Sequence, residues 1–311
     1  MARMVVKFGV LLIQSMPYDA LLDAVRFTES LGFRNAWIAD QLGIPSRPDA
    51  TFLEAWTTLA GFARDTDRIR IGPLVSNVAM RNPGMLVKHI LTVDHMSGGR
   101  VDLAIGAGYF PVEHAWVGVP FPDGPARSRR LAEAAAILDR GLRGEYVTFS
   151  GEFFHFADAP MTPAPTQRPR VPLYIAGQAR ASLEVAVRHA DVVVTTSFDD
   201  APTIDQASAR LRERMRLVDD LCHAAGRDPA SLGRLYSAGY SEVGIFSSIG
   251  SMTDWVGHLV EAGATELCFY LHDPAMGAYE ALVDSGQFAS RDALTRLAQD
   301  VIPGYGVAGL S

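Results

Sequence analysis

Four short stretches of the chain carry residue types that can do chemistry. Each lies where an apolar run gives way to small or polar residues. In YIAGQARASLEVAVRHADVVV (174–194) the run ends in Ala176, Gly177, Gln178 and Ala179, and a helical pattern follows from Arg180. Free N–H groups at a helix start form an anion site. Gly177 and Ala179 would let a phosphate approach the backbone and Arg180 would add charge, although the same residues also suit an ordinary tight turn. In DLAIGAGYFPVEHAWVGVPF (102–121) the run delivers Gly106, Ala107 and Gly108, a second place where backbone can touch a ligand. This is not the dinucleotide fingerprint, which needs a third glycine and a helix directly behind it. Tyr109, Glu113 and His114 follow; His114 has the chemistry for acid–base work, with a surface or packing role as the alternative. NAWIADQLGIP (35–45) ends its run in Asp40 and Gln41, where Asp40 either accepts a hydrogen bond from a cofactor or caps the next element. In IGPLVSNVAMRNP (71–83), Gly72 and Pro73 interrupt an apolar run just before Ser76 and Asn77. Proline removes a ladder donor, and glycine in a strand marks a bulge or a close backbone approach. His89 and His95 fall in one helical stretch and read as structural. No Ser–His–Asp pattern, H-E-x-x-H motif or cysteine-based metal spacing supports a hydrolase or a metalloenzyme.

The elements that must position these residues alternate. Strand patterns fall at 5–13, 35–39, 69–76, 101–105, 172–176, 192–195, near 235–245 and at 266–271. Helical patterns fall at 17–31, 50–65, 84–97, 126–143, 180–189, 251–262 and 288–301, with another in which Leu211, Met215, Val218 and Cys222 share one face. Parallel strands need helical crossovers, so the alternation predicts an α/β fold with a parallel sheet. Eight such units in 311 residues predict a single (β/α)8 TIM barrel. The chemistry of such a barrel sits at the C-terminal ends of its strands. One excursion, about 145–172, separates the fourth helix from the fifth strand: a hairpin (YVTF, a turn at Ser150 and Gly151, EFFHF) and then five prolines. It reads either as an arm packed on the surface or as a lid over the mouth. Residues from about 303 form a C-terminal tail.

Composition bounds the partners. A net charge of −7 gives no reason to expect nucleic acid or a membrane surface. No run of 18 apolar residues and no signal pattern is present, which predicts a cytoplasmic protein. Cys222 and Cys268 form neither a disulfide framework nor a metal motif. Lys7 and Lys88 are the only lysines among 28 basic residues, which leaves little room for Schiff-base chemistry.

Taken in order, KFGVLL, AWIADQ, RIRIGPLVSNVAMRNP, TVDHMSGGRVDLAIGAGYFPVEHAWVGVPF, PLYIAGQARASLEVAVRHAD and EAGATELCFYL resemble the bacterial-luciferase-like superfamily over nearly the whole chain. The resemblance implies an eight-stranded barrel that binds a flavin or deazaflavin. It implies a non-prolyl cis peptide at Leu74–Val75 backing the ring, Asp40 and Asn77 near the ring's polar edge, and close approach at Gly106 and Gly108. The cofactor phosphate would lie on Ala176–Ala179 with Arg180. Tyr109, His114 and Gln41 would face the substrate, with Tyr109 or His114 as proton donor. The GPLVSN and R-N-P pattern resembles the branch that uses coenzyme F-420, a deazaflavin made by actinobacteria, whose chains share this arginine bias. Gln41 stands where many members have histidine, and Tyr109 where the deazaflavin glucose-6-phosphate dehydrogenases have glutamate, which argues against a sugar-phosphate substrate. Gly106 stands at the reactive cysteine of true luciferases. The expected activity is hydride transfer between coenzyme F-420 and a small organic substrate. The alternative is an FMN-dependent monooxygenase fed by a separate flavin reductase, and the third a non-catalytic flavin-binding homologue. The resemblance also implies a homodimer.

Overall fold

In a computed structural model, residues 5–197, 202–276 and 284–305 are described. Period-two patterning splits each strand between two apolar layers. In β1 (Lys7–Leu12), Phe8, Val10 and Leu12 face the helices, while Leu11 faces inward with Trp37, Ala104, Tyr174, Val194, Leu235 and Cys268. Gly9 also faces inward, and a Cβ there would lie 2.9 Å from Trp37 Nε1, so glycine makes room for the indole.

Eight strand positions close the ring. β1 pairs in parallel with β2 (Asn35–Ile38) on one side and β11 (Glu266–Leu271) on the other. From β11 the order runs through β10 (Gly233–Ala238), β9 (Val192–Thr196) and β8 (Leu173–Ala176) to β5 (Leu103–Gly106). The third position is divided. Its lower half, β3 (Arg70–Pro73), pairs with β2, and its upper half, β4 (Ser76–Asn77), pairs with β5. A bridge between Ile71 and Val101 completes the closure. The Gly72-Pro73 interruption therefore marks where the strand changes partner. The Leu74–Val75 peptide at that break is cis.

Helices α1 (Tyr18–Ser30), α2 (Ala55–Asp65), α3 (Pro83–Ser97), α5 (Gly124–Gly141), α6 (Arg180–His189), α7 (Ile204–Ala224) and α8 (Ile249–Glu261) surround the barrel; α4 (Pro111–Trp116) is a single extra turn and a half after β5. Among the described residues no helix is long and apolar enough to cross a membrane. Several boundaries move for identifiable reasons. The second helix begins at Ala55 rather than 50, because the Glu54 carboxylate caps it by accepting from Thr57 N at 2.7 Å. The strand expected near 235–245 stops at Ala238, because the buried Glu242 carboxylate collects the Gly239 amide at 2.9 Å and the Tyr236 hydroxyl at 2.5 Å. The helix expected over 288–301 is Arg291–Arg296 followed by a π turn, Leu297–Val301.

The excursion is an antiparallel pair, β6 (Tyr146–Ser150) and β7 (His155–Pro160), so its turn is longer than the two residues read from the sequence. It is an arm rather than a lid, for none of its residues lines the mouth. Glu133 of α5 accepts the amides of Glu152, Phe153 and Phe154, and the chain then runs along α3, where Asp94 accepts from Thr166 N at 2.6 Å. Beyond that, Gln167 joins a polar plug at the opposite, N-terminal end of the barrel. There Arg70 grips the Asp102 carboxylate at 2.8 and 2.5 Å and Asn35 donates to it at 2.7 Å.

Candidate functional site

The C-terminal ends of the strands open into one cavity of about 810 Å³. Its first wall is the break in the third strand, from which Leu74, Val75 and Asn77 line the space beside Gly106 and Gly108 at the end of β5. A Cβ on Gly106 would lie 2.7 Å from Val75 Cγ2. Gly108, at φ +89°, would place one 2.6 Å from Asn77 Oδ1. Both glycines thus let side chains of the third strand lie against the backbone of its neighbour. Asn77 Oδ1 accepts from Ala79 N at 2.9 Å, and its Nδ2 lies 3.2 Å from His114 Nε2.

Asp40 and Gln41, just beyond β2, line the next sector. Asp40 is not a helix cap. Its carboxylate accepts from Ser76 Oγ at 2.5 Å and from Arg81 at 2.7 and 2.5 Å. Arg81 also reaches Glu54 at 2.7 Å, and burial, which would raise the Glu54 carboxyl, is outweighed by the Thr57 amide and Arg81, which hold it down to about 2. The Asp40 charge is therefore spent on fixing β4 and the loop behind it.

Glu113 of α4, 4% exposed, also lines the cavity. Its carboxylate accepts from Leu42 N at 2.7 Å, and no cation pairs with it among the described residues. Burial pushes its carboxyl above the usual range, the Leu42 amide opposes this, and Asp40 adds to it. The sequence lists Glu113 beside His114, and the histidine was the residue singled out for chemistry. In the structure it is Glu113, not His114, that lines the cavity. His114 is 1% exposed, does not line the cavity, and sits edge-on to Phe121 at 4.9 Å with its Nδ1 3.1 Å from Pro120 O. Its Nε2 faces Asn77.

Tyr109 stands at the rim, edge-on to Phe110 at 4.7 Å and hydrogen-bonded to Tyr240 across the mouth. Deeper, Tyr270 hydrogen-bonds Ser237, and burial raises both Tyr240 and Tyr270 phenols. Tyr240, Tyr270 and Ser237, with Thr195 and Thr196, come from strand ends without a motif, and nothing in the sequence singled them out.

The far end of the cavity is the start of α6. Ala176, Gly177, Gln178, Ala179 and Ser182 line it, and no side chain caps the helix. A Cβ on Gly177 would lie 2.8 Å from Ser182 Oγ, so this glycine lets α6 pack down on β8. Among the described residues, Gln178 Oε1 and Thr195 Oγ1 are buried without a partner. Arg180 is a correction: its side chain, 65% exposed, pairs with Glu184 at 3.0 Å on the outer surface and does not line the cavity. The nearby cations come instead from the start of α5, which contributes Arg127, Ser128 and Arg129. Arg127 lies over the Phe121 ring at 4.2 Å, and Arg129 is held by Glu152 of the arm at 2.9 Å.

The cavity thus has a shelf whose Asn77 amide keeps one N–H left over, an uncapped helix start at α6, and a carboxyl, Glu113, pushed up by burial. Among the described residues no cluster of three or more His, Cys, Asp and Glu side chains could hold a metal. Comparison with known proteins gives a consistent picture. The sequence model of the family described as luciferase-like monooxygenase matches residues 5–240. An F420-dependent glucose-6-phosphate dehydrogenase of Microbacterium testaceum is 31% identical over 183 residues, which are 58% of this chain and 54% of that protein, so the match spans about half of the relative. The coenzyme F420 dependent tetrahydromethanopterin reductase of Methanopyrus kandleri superposes with a TM-score of 0.76 at 16% identity, over 97% of this chain and 99% of that one. The monooxygenase RslO1 of Streptomyces bottropensis superposes at 0.63 with 21% identity, over 96% and 89%. The two superpositions establish a shared fold.

Proposed function

Since the chain belongs to the luciferase-like monooxygenase family, we propose that it is a coenzyme F-420-dependent oxidoreductase that transfers a hydride between the deazaflavin and a small organic substrate. The observation that carries this reading is the joining, in one cavity, of the Leu74–Asn77 shelf with the uncapped start of α6. The partial likeness to an F420-dependent dehydrogenase supports the choice of cofactor.

The residues present fit such a group. Leu74 and Val75 offer an apolar face, Gly106 and Gly108 make room for Val75 and Asn77 against the neighbouring strand, and the Asn77 amide can meet the polar edge of a ring. Gln178 Oε1 and Thr195 Oγ1, without partners among the described residues, can meet hydrogen-bonding groups, and the start of α6 with Arg127 and Ser128 suits a phosphate. When bound, the deazaflavin supplies a carbon that carries hydride and does not activate oxygen as reduced flavin does. The chain's task is to place the substrate, exclude water and move one proton. Gln41, Tyr109 and Tyr240 line the side open to substrate, and Glu113 holds the proton that a carbonyl oxygen gains, or an alcohol loses, as hydride moves.

Gly108→Ala is expected to weaken cofactor binding about tenfold, because the new methyl group displaces the Asn77 amide at a left-handed backbone position. Fluorescence titration of the purified variant checks this, and unchanged affinity would remove Gly108 and Asn77 from the ring's surroundings. The function itself is tested by anaerobic turnover with coenzyme F-420 against a panel of alcohols and carbonyl compounds. Oxygen consumption with reduced FMN, and none of this anaerobic turnover, would assign the chain to the monooxygenases instead.

A further inference from the structure

His114 is buried, has no charge partner among the described residues and lies outside the cavity, yet its two ring nitrogens lie within 3.1 and 3.2 Å of polar atoms. The chain of bonds through it can run in only one direction. At one end the Ala79 backbone N–H must donate, so Asn77 Oδ1 accepts it at 2.9 Å. That orientation turns the Asn77 Nδ2 toward His114. At the other end the Pro120 carbonyl can only accept, so His114 Nδ1 donates to it at 3.1 Å. Nε2 is then an acceptor and takes one Nδ2–H of Asn77 at 3.2 Å. A flipped carboxamide would face the Ala79 N–H with its own N–H groups, and the other imidazole tautomer would leave the Pro120 carbonyl and the Asn77 amide unsatisfied.

We propose that His114 is a positioning residue which, as the neutral Nδ1–H tautomer, locks the Asn77 carboxamide so that its second N–H is presented to the cofactor cavity. That N–H meets no acceptor among the described residues, while Asn77 itself lines the cavity. The surroundings hold the lock in place. Gly108 leaves no Cβ to push the amide away, and the imidazole is packed edge-on with Phe121, over whose ring Arg127 also lies. Charged neighbours are few: Glu113 precedes His114 on the same helix with its carboxylate turned to Leu42 N, and the Arg127 guanidinium lies over the Phe121 ring. The inference rests on the proposed cofactor site, but its first test does not.

Nitrogen-15 NMR of the cofactor-free protein, labelled at histidine and assigned by His114→Gln, should show a protonated Nδ1 and an unprotonated Nε2 at neutral pH. A protonated Nε2 would overturn the proposal whatever the cofactor. The second test is titration with coenzyme F-420 and, separately, FMN, reading whichever binds. His114→Leu, which fills the space without an acceptor, should weaken binding about tenfold, a typical cost of one misdirected hydrogen bond. His114→Gln, which can return an acceptor to the Nε2 position, should recover most of that loss. In an Asn77→Ala background the leucine change should have no further effect. Equal affinity of wild type and His114→Leu, or equal losses with and without Asn77, would overturn the proposal. Failure of the wild-type protein to bind either cofactor would instead sink the functional reading and leave the tautomer result standing.

Discussion

Glu113→Gln is expected to lower turnover by about 10²- to 10³-fold, the usual range for loss of a positioned acid–base group. Cofactor affinity should stay within about threefold, because glutamine keeps an oxygen to accept the Leu42 amide. The expectation rests on the contrast between the two carboxylates of the cavity wall. Asp40 is committed to Arg81 and Ser76, whereas Glu113 is buried with backbone donors alone and its carboxyl is pushed up by that burial. A raised carboxyl keeps its proton to higher pH than an ordinary glutamate. In the reducing direction Glu113 donates that proton, so the rate should fall as pH rises through its pKa. In the oxidising direction it accepts one, and the limb should reverse. Both limbs should vanish in Glu113→Gln. A variant that keeps the wild-type pH profile would leave Glu113 as a tether for the Leu42 loop.

Asp102→Ala should produce the largest loss of stability, about 3–5 kcal/mol, because it leaves the Arg70 guanidinium facing a buried void. For a chain of this length that is a fall in melting temperature of about 5–8 °C. The pH dependence has a definite sign. Burial works against the Asp102 carboxylate, but Arg70, then Arg34 and Asn35, outweigh it and hold the carboxyl below its usual range. The stabilisation is therefore complete above the unfolded value near 3.9 and is lost as pH falls toward the folded one. Urea melts at pH 7 and at about pH 3 should show the gap between wild type and variant closing in acid. A constant gap would mean that packing, not charge, is what Asp102 contributes. The plug lies at the N-terminal end of the barrel, so cofactor affinity of folded protein should be unaffected.

The sequence exposed the scaffold most clearly where one period dominates. The strand at 266–271 and the helix at 180–189 are found at their expected residues, since alternation and a 3.6-residue face leave little room for another reading. The barrel rule then made strand ends the place to look, which is why Asp40, Gln41, Leu74, Val75, Asn77, Gly106, Gly108 and Gly177–Ala179 come together at one cavity. What remained hidden depended on side-chain direction. His114 and Glu113 are adjacent, and only the short turn of α4 decides that the carboxylate meets the cavity while the imidazole turns inward. Arg180 begins a helix, but its side chain projects outward, and Arg127 from another helix lines the cavity instead. Tyr240 and Tyr270 stand at strand ends with no motif to announce them. The arm at 145–172 could not be placed by composition alone, because its seat is formed by Glu133 and Asp94 on two separate helices.

The most direct test of the cofactor assignment is parallel titration of the purified protein with coenzyme F-420 and FMN. The expected result is saturable binding of coenzyme F-420 with a Kd of about 1 μM or lower, and FMN weaker by about tenfold or more. Tight binding of FMN without binding of coenzyme F-420 would contradict it.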